Sequence, residues 1–193
     1  MLGLKLATDP RWVNIVEHNI EEILTDHAYC EQKATTNAIY IIVNFPEHSD
    51  LVTDMIKLAK EELEHFEMVH DRIKARGFVL GRERKDEYVG ELYSFMRKGY
   101  KRSIALVDRL LFAALIEARS CERFKLLSEQ IGDEELRGFY RELMISEATH
   151  YTTFIGYARK YAEGEDIDKR WQEFLDFEAS IMGKYSKRET IHG

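Results

Sequence analysis

The chain has 193 residues, 45% of them hydrophobic and 33% charged, with a formal net charge of −7. That profile suits one globular domain able to bury a core without disulfides or a structural metal. Its acidic balance argues against strong nucleic-acid binding by overall charge, though not against a local basic patch. Cys30 and Cys121 are too few for a disulfide framework and suit a reducing, cytoplasmic setting. The start, MLGLKLATDPRW, lacks the basic and apolar regions of a signal peptide. The longest apolar run, Leu110 to Ile116, is seven residues against the ~20 that cross a bilayer, so no membrane partner is expected.

Apolar residues recur at helical spacing over most of the chain, and strand-like alternation is not sustained anywhere. Asp9-Pro10 opens a first predicted helix that runs to about Phe45, where Pro46 stops it. Ser49 or Asp50 caps a second, which reaches Arg76 and ends at Gly77. From Phe78 to Gly99 the glycines and mixed charge predict a crossover with a short helix near Glu87 to Met96. A third long helix is predicted from about Lys101 to Ile131, before Gly132. Asp133 caps a fourth that runs to Glu163, and a fifth covers about Asp168 to Tyr185. The last residues, SKRETIHG, predict a frayed tail. The expected fold is all-α: a four-helix bundle with one long crossover connection and an additional C-terminal helix. One domain spans 1–193, its core at about 10–163 and the extra helix at about 166–185.

Acidic residues fall where helical periodicity demands burial. The apolar stripe of the second helix reads Leu51, Met55, Leu58, Glu62, His65, Val69, and that of the fourth reads Leu136, Tyr140, Leu143, Glu147, His150, Phe154. The first reads Ile20, Leu24, His27, Glu31, Ala34, Ala38, and the third Leu106, Leu110, Ala113, Glu117, Ser120, Phe124. Each stripe holds one glutamate, and two add a histidine three residues on, where both heads reach one point.

Glu67-x-x-His70 and Glu122 compete with this set, and hairpin register decides between them. Glu31 lies 15 residues before Pro46 and Glu62 lies 16 after it, while Glu117 and Glu147 lie 15 either side of Gly132. Equal distance from the turn means equal height in an antiparallel hairpin. Glu122 and Glu67 miss that level by about 7 Å at ~1.5 Å per residue. The matched set is Glu31, Glu62, His65, Glu117, Glu147 and His150.

Four buried carboxylates at one level would repel, and each unpaired charge would cost several kcal/mol. Two divalent cations balance them. One glutamate from each of two helices plus Glu-x-x-His from each of two others is the ligand pattern of ferritin-like di-iron and di-manganese proteins. Carboxylate and imidazole donors suit iron or manganese, and the lack of cysteine ligands argues against structural zinc.

Four stretches carry a closer likeness: CEQKA (Cys30 to Ala34), EELEHF (Glu61 to Phe66), IEARSCERF (Ile116 to Phe124) and SEATHY (Ser146 to Tyr151). Through them the chain resembles the bacterial tRNA 2-methylthio-isopentenyladenosine hydroxylases, from about Pro10 to Tyr185. The resemblance implies a non-haem di-iron monooxygenase that uses O2 to hydroxylate the isopentenyl group beside the anticodon. It places Glu31 and Glu117 as single-helix ligands, Glu62 and Glu147 as bridging ligands by analogy with the class, and His65 and His150 as imidazole ligands. It also implies two iron ions per chain and an external electron donor or reductase, since no flavin or nicotinamide motif is present.

His27, one turn before Glu31, can orient a ligand, line a pocket or sit hydrogen-bonded in the core. Cys30 and Cys121 read as small buried residues at helix contacts, and Tyr151 as a chance neighbour of His150. For the anticodon stem-loop of tRNA the candidates are Arg82, Arg84 and Lys85, then Arg97, Lys98, Lys101 and Arg102, with Tyr93 and Tyr100 near enough to stack on bases. The competing functions are ferritin-like iron oxidation and handling, or peroxide reduction, neither with a tRNA substrate.

Overall fold

The computed structural model describes residues 2–185 and 190–192, which form seven helices and, among the described residues, no strand. They group into two compact units: residues 18–85 with 190–191, and residues 2–17, 86–185 and 192. Among the described residues, no helix is long and apolar enough to cross a membrane.

The predicted first helix is two, α1 (Trp12–His18) and α2 (Ile20–Asn44). Asn19 leaves the helical region at φ −137°, ψ 42°, and hydrogen bonding restarts where Ile23 N donates to Asn19 O at 3.0 Å. Asparagine yields a helix interior more readily than most residues, because its side chain competes for backbone groups. Its cost was too small to register against the continuous apolar pattern.

The first unit is an antiparallel hairpin of α2 and α3 (Ser49–Ala75). The cap of α3 is His48 instead of Ser49 or Asp50, and it makes no side-chain capping bond. Gly77 ends α3 as predicted: its φ of 75° belongs to the left-handed region, and Phe78 N donates back to Ile73 O at 3.0 Å.

The second unit holds α4 (Glu87–Ser94), α5 (Arg102–Gln130), α6 (Glu134–Lys160) and α7 (Ile167–Tyr185). Asp86 and Asp133 cap α4 and α6 by accepting from Val89 N and Leu136 N. α5 and α6 form its hairpin, and α4 and α7 pack with α5. Burial almost all round α5 explains its apolar run at Leu110 to Ile116.

Polar anchors cross that unit's core. The buried Arg119 donates to Glu178, to Glu122 and to Leu6 O. Tyr88 also donates to Glu178 Oε1, at 3.1 Å. Burial, and then the Glu178 charge, push the Tyr88 phenol well above its ordinary pKa, so it remains a donor. The frayed tail is a correction: Ile191 is buried with its N–H donating to Asp26 Oδ2 at 2.7 Å in the first unit. In the second unit the buried His192 places Nε2 2.9 Å from Ser120 Oγ and stacks on Tyr88. Residues 186–189 and 193 of that tail lie outside the described residues.

Candidate metal centre

In the first unit α2 carries Glu31, and α3 carries Glu62 and His65. Helical spacing puts Glu62 and His65 on the same buried stripe as Leu58 and Val69. The hairpin turn at Phe45 to His48 sets Glu31 opposite them. One ligand atom from each of the three lies within 4.8 Å of the others. His65 Nδ1 is 3.3 Å from Glu62 Oε2 and 3.9 Å from Glu31 Oε2. The other oxygen of Glu31 is 2.6 Å from His27 Nε2, so His27 is a hydrogen-bonded partner of a candidate ligand.

The second unit repeats the pattern. α5 carries Glu117, α6 carries Glu147 and His150, and one ligand atom from each lies within 4.8 Å of the others. The turn between them is fixed by Gly132 N, which donates to Glu17 Oε1 at 2.7 Å, and by Arg137, which donates to Ile131 O. Burial, then Glu147 and Glu122, push the Cys121 thiol up to about 11, and its Sγ donates to Met144 O. Cys121 is thus a protonated core residue at neutral pH.

None of these six residues is more than 7% exposed. The competing pair falls away: Glu67 is exposed, and His70 is half-buried against Phe66. Glu122 accepts from Thr8 N and Oγ1 as well as Arg119, so it is an anchor for the N-terminal segment. The donor chemistry of both clusters, buried carboxylates with imidazole, fits a hard or borderline divalent cation. The residues form two clusters of a composition that could hold a metal ion.

Among the basic candidates, Arg82, Arg84 and Lys85 are exposed in the first unit, and Lys98, Lys101 and Arg102 in the second. Arg97 differs from them. Its backbone N–H and guanidinium donate to Asp108, and its Nη1 to Glu165 at 2.7 Å. Tyr93 and Tyr100 are 46% and 60% exposed. Sequence reasoning missed the buried ion pairs Arg119–Glu178 and Arg170–Asp108. Their one signal was Asp108 and Arg119 lying within a helix that is rich in apolar residues.

Comparison with solved structures gives the class. The chain matches a protein described as "Protein 43 with aldehyde deformylating oxygenase activity from Synechococcus" at a TM-score of 0.90 and 33% identity, over 98% of this chain and 95% of that one. With its helical pairs and carboxylate–histidine clusters, the chain has the all-α ferritin-like fold. Two relatives carry the name tRNA 2-(methylsulfanyl)-N(6)-isopentenyladenosine(37) hydroxylase. That of Pseudomonas putida is 39% identical over 164 residues, covering 85% of this chain and 78% of the relative. That of Salmonella typhimurium is 28% identical over 221 residues, covering 90% of this chain and 80% of the relative. The tRNA-(MS[2]IO[6]A)-hydroxylase (MiaE) model matches residues 2–193, and the chain belongs to this family of tRNA-modifying hydroxylases.

Proposed function

We propose that this protein hydroxylates the isopentenyl group of 2-methylthio-isopentenyladenosine beside the anticodon of tRNA. It does so through two iron ions held by Glu31, Glu62, His65, Glu117, Glu147 and His150. The observation that carries the reading is the repeated cluster: each hairpin buries a lone glutamate opposite a Glu-x-x-His, within 4.8 Å. In this reading the chain is one domain, and two divalent ions balance four carboxylates that would otherwise be costly to bury. Family membership supports the tRNA substrate, and the oxygenase description of the solved relative supports O2 as oxidant.

When bound, an iron pair supplies the redox chemistry: one oxygen atom of O2 enters a C–H bond as hydroxyl and the other leaves as water. An external reductase provides two electrons, and two protons complete the balance. The chain's residues do the rest. Glu31, Glu62, Glu117 and Glu147 would hold the metal through carboxylate oxygens, and His65 and His150 would add imidazole donors. The exposed cations Arg82, Arg84, Lys85, Lys98, Lys101 and Arg102 contact tRNA phosphates, and Tyr93 and Tyr100 offer faces on which unpaired bases stack. The modified adenosine leaves its stack to reach a buried centre. Such an enzyme works in the cytoplasm, where tRNA is.

The deciding experiment is nucleoside mass spectrometry of total tRNA from the native host with and without this gene. The expected result is loss of the isopentenyladenosine derivative that is one oxygen heavier. Its persistence without the gene would overturn the substrate assignment, and solution mass with iron content would then test for an iron-storing assembly.

A further inference from the structure

His27 is fully buried, one helical turn before Glu31 on the same face of α2. Its Nε2 lies 2.6 Å from Glu31 Oε1. An ionised carboxylate can only accept, so the proton of this bond sits on Nε2 and the imidazole donates. The two oxygens of Glu31 therefore have different surroundings. Oε1 is held by His27, whereas Oε2 lies toward His65 Nδ1, at 3.9 Å. Both interactions lie within the α2–α3 hairpin, and a buried charge-assisted bond this short restrains the rotation of the carboxylate.

We propose that His27 is a positioning residue for the metal centre: it holds Oε1 of Glu31 and leaves Oε2 as the single oxygen that Glu31 offers a metal. The inference rests on the assignment of Glu31 as a ligand. Without His27 the carboxylate is free to turn about its last torsion, and the ligand loses its fixed aim. Outer partners of this kind change metal affinity by about 10–100-fold.

The test uses the full chain, stripped of metal and titrated with Co(II) without oxygen, followed by visible absorption and bound-metal analysis. His27→Leu is expected to weaken one of two cobalt sites by about 10–100-fold and to alter its absorption band, leaving the other site as in the wild type. His27→Gln, whose amide nitrogen reaches nearly as far as Nε2, should recover most of that loss. Wild-type affinity and spectrum in His27→Leu would overturn the inference. Glu31→Ala is the control: if it keeps two cobalt ions and an unchanged spectrum, the ligand assignment fails instead. Should His27→Leu not fold by circular dichroism, His27→Asn replaces it, being too short to reach Oε1. Equal affinity of the Asn and Gln variants would then refute the proposal.

Discussion

Asp108 on α5 is 1% exposed and accepts from the Arg97 backbone N–H, the Arg97 guanidinium and Arg170. Burial pushes its carboxyl up, but the hydrogen bonds from Arg170 and Arg97 outweigh it and hold the pKa below the ordinary carboxylate value. A depressed folded pKa contributes stability that is present above the unfolded value, near ~3.9, and lost as pH falls through the folded one. Asp108→Asn should therefore cost about 3 kcal/mol at neutral pH, because it leaves two arginines without their shared anion. Chemical denaturation at a series of pH values checks this, since the gap between variant and wild type should close in acid. At the ligands the expectation is different. Glu62→Ala or Glu147→Ala should lose bound metal and activity while keeping helical content, and retention of two metals per chain would refute the ligand set. These buried glutamates were legible in the sequence because a charge on an apolar stripe has to be explained. Asp108 was not, since its partners Arg97 and Arg170 come from distant segments that no local pattern links to it.

Among the elements, the hairpins were the most legible. Pro46 and Gly132 mark turns, and counting outward from them put each glutamate level with its opposite number, as the 4.8 Å clusters now show within each hairpin. The break at Asn19 and the seat of His192 against Ser120 escaped, the first because one asparagine barely alters a helical pattern, the second because it is a tertiary interaction. The segment from Arg97 to Arg102 carries the basic stretch that leads into α5, and Arg97 is already engaged by Asp108 and Glu165. Reversing Lys98, Lys101 and Arg102 to glutamate should weaken tRNA binding without changing metal content. The slope of affinity against salt should also fall by roughly 0.7–0.9 for each phosphate that is no longer neutralised. Unchanged affinity would remove this segment from the proposed surface.

On the scale of the molecule, a net charge of −7 means that any grip on tRNA comes from local cations working against the rest of the surface. Composition argued against a disulfide framework, periodicity supplied the helices, and buried charge pointed to metal. What the sequence alone left hidden was the second unit's ionic scaffold, because burying Arg119 makes sense only once Glu178 is beside it. That dependence also has a timetable. Arg119 and Glu178 are 59 residues apart, so a ribosome adding ~5–20 residues per second releases the arginine roughly 3–12 s before its partner. In that interval Glu122, three residues along the same helix, is the carboxylate within its reach. The half-made chain then carries a helix destined for burial on most sides, with Arg119 still lacking the Glu178 carboxylate. Final closure of this unit waits on α7, and a nascent chain stalled before it would be a substrate for chaperones.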